Sequence, residues 1–197
     1  MLYWPAYFIT KFFSRIFFDI RFVGAENIPK TGAFIIASNH ISNLDPFLIG
    51  LCARRQFSFV AKDSLFKTKF LAFVFRSLGA FPIRREMADF RAIRETLRRL
   101  KDGHPVILFP EGTRIQAKKI KRVQPGVGLI AIKSDVPVIP VCIKGSDKVL
   151  PPGAKWINRH PIVVTLGAPL RFPQRESYPE VVANQIMDKI LNLSTAS

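Results

Sequence analysis

The chain has 197 residues, and 30 Lys or Arg against 14 Asp or Glu give it a formal net charge of +16. A hydrophobic share of 48% with 18 phenylalanines excludes an intrinsically disordered chain. Two cysteines, Cys52 and Cys142, exclude a disulfide framework and fit no zinc-ligand spacing. The length indicates a single domain, and a composition that is both basic and apolar favours an anionic membrane surface over nucleic acid as a partner.

The first 20 residues predict an amphipathic helix that lies on a membrane surface. Lys11, Arg15 and Asp19 recur every four residues, which places them in one narrow polar stripe of a helix. The longest run without a charge is too short to span a bilayer, and the order of charges is not that of a signal peptide. The alternative interpretation is a helix that packs on the protein's own core.

A second apolar stretch at residues 64–78 is interrupted by Lys67, Lys69 and Arg76. It is too short and too charged to cross a membrane. Two interpretations stand, a core helix with lysines that extend to solvent, or a second face that touches a membrane.

Strands and helices alternate along the rest of the chain. Buried strands are predicted at residues 33–37, 57–61, 106–109, 136–143 and 162–166. Helical patterns occur at residues 45–53, 65–78, 87–101, 127–133 and 179–193. This alternation predicts an α/β domain with a parallel or mixed sheet. Pro137 and Pro140 predict that the fourth strand lies at an edge or at a bulge.

A first polar motif, SNHISNLDP, follows the first of these strands. His40 and Asp45 are five residues apart, a spacing that would separate them by about 140° on a regular helix. If His40 lies in the turn before a helix, the Asp45 carboxylate can accept a hydrogen bond from one imidazole nitrogen. The other nitrogen is then a general base for a hydroxyl that the substrate carries. The alternative is a His–Asp pair that only caps a helix.

A second polar motif, FPEGTR, follows the strand VILF. Gly112 lets the backbone approach a ligand, Glu111 can bind a hydroxyl or pair with a cation, and Arg114 offers a planar fork for a phosphate. A third piece, GAFPIR, ends in Arg84. Arg84 and Arg114 together can clamp one phosphate, although either arginine alone is more typical of a solvated surface charge.

These motifs resemble the four sequence blocks of the glycerolipid acyltransferases. Asn39-His40 with Asp45 resembles the HX4D motif, GAFPIR the second block, FPEGTR the third, and VPVIP, which ends at Pro140, the fourth. They occur in the family's order over about half of the chain, and FPEGTR is the most specific of them. The size of the chain also resembles that of bacterial 1-acyl-sn-glycerol-3-phosphate acyltransferases.

The resemblance implies transfer of an acyl chain from acyl-CoA or acyl-carrier protein to the sn-2 hydroxyl of 1-acyl-glycerol-3-phosphate, which gives phosphatidic acid. It implies that His40 is the general base and that Asp45 orients it, with no metal, no cofactor beyond the acyl donor and no covalent acyl-enzyme. The residues that it implicates in acceptor binding are Arg84, Glu111, Gly112, Thr113 and Arg114.

The fold implied by the resemblance is an αβα sandwich with a mixed, largely parallel sheet, preceded by a helical segment that associates with the membrane. We therefore expect a membrane-associating segment at residues 1–24 and an acyltransferase domain at residues 25–197. The expected partners are an anionic phospholipid surface, lysophosphatidic acid and the acyl donor, without nucleic acid. The expected location is monotopic, on the cytoplasmic face of the inner membrane.

Three alternatives remain beside this interpretation. A related enzyme can use another acceptor, such as glycerol-3-phosphate, another lysophospholipid or a lyso-ornithine lipid. A nucleic-acid-binding module would explain the net charge, but the basic residues are scattered and no such motif is present. A metal hydrolase built on His40, Asp45 and Glu111 lacks a second well-placed histidine.

The chain departs from the family pattern after the third block. Many relatives have Ser there, and this chain has Ile115. The basic run that follows, at residues 116–124, is either a solvated loop or a contact for anionic groups.

Overall fold

The runs of β-branched and aromatic residues form the strands of one sheet. The computed structural model describes residues 3–83, 90–112, 123–151, 154, 156–173 and 178–195. The strands are β1 (Ile20–Val23), β2 (Ile35–Ser38), β3 (Ser58–Lys62), β4 (Ala80–Ile83), β5 (Val106–Leu108), β6 (Val138–Lys144) and β7 (Ile162–Leu166). The helices are α1 (Tyr3–Phe17), α2 (Asp45–Leu51), α3 (Lys69–Ser77), α4 (Phe90–Lys101), α5 (Pro125–Ser134), α6 (Ser146–Val149) and α7 (Pro179–Thr195), with short 3₁₀ helices at Ala25–Asn27 and Asp63–Phe66.

The order of the strands in the sheet is β1-β7-β6-β2-β5-β3-β4. Neighbouring strands are parallel throughout this described sheet except for β6 and β7, which run antiparallel. Helices cover both faces, because one core cluster joins the sheet to α4, α5 and α7 and the other joins it to α2. The predicted αβα sandwich with a mixed, largely parallel sheet is therefore confirmed.

The close packing of α5 against α7 requires a glycine. A Cβ at Gly128 would overlap the carbonyl oxygen of Pro179 at the start of α7. Around this contact, Ile130, Val182 and Ile186 are buried in the core. On α4, Leu100 is buried in the core, whereas Phe90 at the start of the helix is 72% exposed.

The prediction that the strand with Pro137 and Pro140 lies at an edge or at a bulge is correct for the bulge and wrong for the edge. β6 is an interior strand, paired with β2 on one side and β7 on the other. Val141 lies opposite Leu166 and Val138 opposite Leu170, so the chain after β7 has one residue more than β6 over this stretch. Pro140 lies at this bulge, where it needs no N–H for the ladder and its carbonyl oxygen accepts the N–H of Gly167 at 2.8 Å.

The predicted N-terminal helix is present but ends at Phe17. The residues after it form β1, which pairs in parallel with β7, so residues 20–23 are part of the sheet. Trp4, Phe8 and Phe12 of α1 are exposed, whereas Ser14 is buried and donates to the carbonyl oxygen of Lys11. Within the part of the chain that the structure describes, no helix is long and apolar enough to cross a membrane.

Candidate functional site

The candidate site lies where three neighbouring parallel strands end. β2 is hydrogen-bonded to β5 on one side and to β6 on the other, so their carboxyl ends meet at one edge of the sheet. His40 follows β2, Glu111 follows β5 and Ser146 follows β6. Carboxyl ends of parallel strands are the usual place for ligands in such sheets, because the connecting loops begin there.

The predicted hydrogen bond between the histidine and the aspartate is present. Nδ1 of His40 lies 2.9 Å from Oδ2 of Asp45. Asp45 is the first residue of α2, and the chain folds back between β2 and this helix, as the spacing of the motif requires. Asp45 is fully buried and His40 is 9% exposed, so the pair is shielded from water on most sides.

Further donors surround the Asp45 carboxylate. Oδ2 also accepts the backbone N–H groups of Ile41 and Ser42, both at 2.8 Å. Oδ1 accepts the hydroxyl of Ser146 at 2.7 Å. Donors on both oxygens stabilise the negative charge of a buried carboxylate and fix its plane, which in turn fixes the orientation of the imidazole.

Two contacts hold the histidine from other directions. The ring of Phe109 stacks on the imidazole of His40 with centroids 4.1 Å apart and an angle of 19° between the planes. The side-chain amide of Asn39 donates to the carbonyl oxygen of Ile143 at 2.9 Å and accepts its N–H at 2.8 Å. These two hydrogen bonds connect the end of β2 to β6, so the loop that carries His40 is anchored to the sheet.

Glu111 is the second buried carboxylic acid of the site. It is 2% exposed, and Oε2 accepts the backbone N–H of His40 at 3.2 Å. Burial raises the pKa of Glu111 to about 7, the N–H of His40 lowers it, and the nearby charge of Asp45 raises it. Oε1 is buried and has no hydrogen-bond partner among the described residues, so this oxygen is free to meet a substrate group.

The other predicted site residues stand differently. Gly112 has a φ of +68°, a left-handed conformation that suits glycine, and its N–H donates to the carbonyl oxygen of Phe109 at 2.9 Å. Arg84, Thr113 and Arg114 lie outside the described residues, as do residues 116–122 of the basic run. In the described chain, no group of three or more His, Cys, Asp or Glu side chains is arranged to hold a metal ion.

An apolar cavity of about 280 Å³ adjoins the site. It lies between α1, α2 and β3, and Pro46 in its wall directly follows Asp45. Ile107 of β5 also lines it, two residues before the Phe109 ring that stacks on His40. The other lining residues are Tyr3, Ala6, Tyr7, Ile9, Thr10, Phe47, Gly50, Leu51, Phe57, Phe59 and Leu78.

The sequence motifs do not reveal the contacts of Ser146 and Phe109. Ser146 is separated from Asp45 by 101 residues, and only the adjacency of β2 and β6 brings its hydroxyl to the carboxylate. A usable signal is the Gly-Ser pair that directly follows the predicted fourth strand, because a small polar residue at that position faces the same edge as His40.

Comparison with known proteins gives a consistent result. The family model described as Acyltransferase matches residues 19–144. The chloroplastic 1-acyl-sn-glycerol-3-phosphate acyltransferase of Arabidopsis thaliana is 28% identical over 191 residues, 93% of this chain and 52% of that relative. The enzyme of that name in Bacillus subtilis is 26% identical over 175 residues, 88% of this chain and 84% of that relative. The chain thus spans about half the length of its first plant relatives.

A solved structure is similar over most of the chain. The crystal structure of the 1-acyl-sn-glycerophosphate (LPA) acyltransferase PlsC from Thermotoga maritima superposes with a TM-score of 0.76 and 31% sequence identity. The match covers 93% of this chain and 76% of that one. The family model also includes His40, Asp45 and Glu111 in its matched range. The resemblance seen in the four motifs is confirmed, and this chain belongs to the acyltransferase family that includes the 1-acyl-sn-glycerol-3-phosphate acyltransferases.

Proposed function

We propose that this chain transfers a fatty acyl group from a thioester donor to the sn-2 hydroxyl of 1-acyl-glycerol-3-phosphate, which yields phosphatidic acid. The observation that carries the proposal is the 2.9 Å hydrogen bond between Nδ1 of His40 and Asp45. This pair lies at the carboxyl ends of the central strands, beside an apolar cavity. The similar proteins from Arabidopsis thaliana, Bacillus subtilis and Thermotoga maritima are named as acyltransferases for this acceptor, which supports the choice.

The proposed mechanism uses His40 as a general base. With Nδ1 bonded to Asp45, Nε2 takes the proton of the acceptor hydroxyl while its oxygen attacks the thioester carbonyl. When the tetrahedral intermediate collapses, the carbon–sulfur bond breaks and the imidazolium returns the proton to the leaving thiolate. Asp45 stays ionised and stabilises the imidazolium, and Ser146 acts as a positioning residue for Asp45. This sequence of steps needs no metal, no cofactor beyond the donor and no covalent acyl-enzyme.

Acceptor binding is assigned to the loops after β4 and β5. We assign the phosphate of the acceptor to Arg84 and Arg114, and Thr113 to the acceptor site, on the family motifs alone. Support for Glu111 and Gly112 is also structural, because Glu111 accepts the backbone N–H of His40, its Oε1 has no partner among the described residues, and Gly112 follows it in a left-handed conformation. A protonated Glu111 can donate a hydrogen bond from Oε1 to an acceptor oxygen, which its raised pKa of about 7 allows near neutral pH.

The apolar parts of the substrates are assigned to the cavity and the membrane. A cavity with apolar walls that begins at the residue after Asp45 suits an acyl chain whose reactive end lies at His40. The exposed aromatic side chains of α1, Trp4, Phe8 and Phe12, suit the interface of a bilayer from which the acceptor arrives. We therefore place the enzyme monotopically on the cytoplasmic face of the inner membrane, without a role for nucleic acid.

A panel of acceptors tests this proposal. The purified protein is incubated with labelled palmitoyl-CoA or palmitoyl-carrier protein and each candidate acceptor, and the labelled product is identified by chromatography. We expect lysophosphatidic acid to be consumed fastest, and the two donors are compared in the same assay. Faster consumption of glycerol-3-phosphate, another lysophospholipid or a lyso-ornithine lipid would overturn the choice of acceptor while leaving the reaction type intact.

A pair of histidine variants tests the base. His40→Ala is expected to lower kcat by about 10³-fold, because general-base catalysis contributes about 10² to 10⁴. His104→Ala removes an exposed histidine in the loop before β5 and is expected to keep wild-type turnover. Turnover by His40→Ala within a few-fold of the His104→Ala control would reject the mechanism.

A further inference from the structure

The helix α3 exposes large apolar side chains to solvent. Phe70 is 74% exposed, Phe73 is 62% exposed and Leu71 is 40% exposed. Not one residue of α3 is buried, although most of its residues are apolar. Neighbouring exposed aromatic side chains on one helix are typical of a surface that binds another apolar phase. The structure therefore decides against the interpretation of residues 64–78 as a core helix.

The charged residues from residue 64 to residue 83 are all basic. Lys67, Lys69 and Arg76 are exposed, and the sequence from residue 64 to residue 83 contains no Asp or Glu. An amphipathic helix with aromatic and basic side chains of this kind suits an anionic lipid surface, where each cation near the leaflet adds to binding.

Two hydrogen bonds and a shared cavity connect α1 with the end of α3. The hydroxyl of Tyr3, at the start of α1, donates to the carbonyl oxygen of Arg55. The next residue, Gln56, donates from its side chain to the carbonyl oxygen of Ser77 at the end of α3. Ile9 of α1 and Leu78 after α3 also line the same cavity. The two helices therefore lie over the same side of the sheet, where one bilayer can meet both.

We propose that α3 is a second membrane-docking element of this protein, which inserts Phe70 and Phe73 into an anionic bilayer next to α1. Lys67, Lys69 and Arg76 contact the anionic headgroups around them. A lipid surface is favoured over an acidic carrier protein as the partner, because both helices expose aromatic side chains and both border the same cavity on one side of the sheet. The inference shares with the proposed function only the premise that the protein works at a membrane.

Two double variants with matched chemistry test this inference. Phe70→Glu with Phe73→Glu removes the face of α3, and Tyr178→Glu with Val181→Glu is the control. Tyr178 and Val181 are 77% and 50% exposed and have the same spacing of three residues. They lie at the start of α7, which packs on the other side of the sheet. In co-sedimentation with vesicles of phosphatidylcholine and phosphatidylglycerol, we expect about a tenfold loss of partitioning for the first pair.

The control pair is expected to partition like the wild type, and circular dichroism checks that both variants fold. Equal partitioning of the two double variants would overturn the inference. Normal vesicle binding by the α3 variant together with a loss of turnover only with the acyl-carrier protein donor would also overturn the inference. In that case α3 would be a protein-docking surface.

A fluorescence measurement tests insertion directly. The chain has two tryptophans, Trp4 and Trp156, and a background with both changed to Phe is used to introduce one new tryptophan. We expect lipids with brominated acyl chains to quench Phe73→Trp and to leave Tyr178→Trp unquenched. An unquenched tryptophan at position 73 would contradict the inference.

The outcome for α3 is separable from the outcome for the enzyme. If the wild type fails to acylate any acceptor of the panel but the vesicle and quenching results hold, α3 is still a docking element and the proposed function fails. If the enzyme is active, we expect the turnover rate of the α3 double variant to fall about tenfold with an acceptor embedded in vesicles. With a short-chain acceptor that is monomeric in water, the variant is expected to keep the wild-type rate. Equal losses with both acceptors would count against docking.

Discussion

The His40 site and the surface formed by α1 and α3 follow opposite rules. In the site, polar groups are buried and bonded within the chain, and Asp45 alone receives four donors from His40, Ile41, Ser42 and Ser146. On α3, apolar groups are exposed and no residue is buried. In the site, groups of the chain itself supply the hydrogen bonds of the Asp45 carboxylate, whereas on the surface the apolar side chains of α3 remain exposed to solvent.

This difference implies different responses to mutation. A buried charge-assisted hydrogen bond depends on single atoms, because removal of one partner leaves the other without compensation. Insertion of an apolar face depends on the total area that leaves water, so its loss is graded over several side chains. Variants of the site should therefore change turnover and leave vesicle binding unchanged. Variants of the surface should weaken vesicle binding and keep the wild-type turnover with an acceptor that is monomeric in water.

The largest effect is expected for Asp45→Asn. The amide keeps the volume of the carboxylate but cannot stabilise an imidazolium, and its NH2 group would face N–H donors of the backbone. We expect kcat to fall by about 10³-fold to 10⁴-fold, as for other buried aspartates that orient a catalytic histidine. Steady-state kinetics measures kcat, and co-sedimentation is expected to match the wild type. A variant that also leaves the vesicles would erase the distinction between the two regions.

A smaller effect, with a defined pH dependence, is expected for Glu111→Gln. Burial raises the pKa of Glu111 from 4.5 to about 7, so the folded state retains a proton that the unfolded state has already released between these values. This carboxyl therefore lowers the free energy of unfolding progressively from about pH 4.5 to about pH 7, by up to about 3 kcal/mol. We expect the glutamine variant to gain stability at pH 8 and to match the wild type at pH 4, as measured by urea denaturation.

Glu95→Gln is the matched control for that pH dependence. Hydrogen bonds from Arg98 lower the pKa of Glu95 to about 2, against a smaller effect of burial, and Arg99 contributes in the same direction as Arg98. This carboxylate stabilises the fold above its ordinary pKa, and the contribution is lost as the pH falls through about 2. The control is therefore expected to lose stability at pH 8, with the opposite sign. A loss of stability for both variants at pH 8 would show that burial of the ionised Glu111 carboxylate does not destabilise the fold.

The two regions also differ in how far the sequence predicts them. His40 and Asp45 belong to one short motif after a strand, so their hydrogen bond follows from local chain geometry. The contact of Ser146 with Asp45 depends on the position of β6 beside β2, and Pro137 and Pro140 left open whether this strand lies at an edge or carries a bulge. Local pattern does not specify strand order, which is set by packing across the whole sheet.

The surface elements show a similar limit of local pattern. The apolar periodicity of residues 64–78 predicted a helix but did not distinguish a core face from a membrane face. β1 was hidden because Ile20 continues the apolar pattern of α1, although residues 20–23 pair with β7. An apolar side chain looks the same in sequence whether its partner is the core, another strand or a bilayer.

The smallest effect is expected for Ser146→Ala, and it tests how far the site depends on single atoms. Loss of the 2.7 Å bond to Oδ1 leaves Asp45 buried with its three donors on Oδ2, so the carboxylate keeps its charge and gains rotational freedom. Hydrogen bonds to charged groups contribute about 1.5 to 3 kcal/mol, and we expect at least about a tenfold fall in kcat with KM unchanged. Thr96→Val, which removes another buried hydroxyl bonded to the carbonyl oxygen of Ala92, should lower stability and spare kcat. If both variants lost stability alike and neither changed kcat or its pH profile, Ser146 would be a fold contact, and His40 and Asp45 would be oriented by the backbone of their own loop alone.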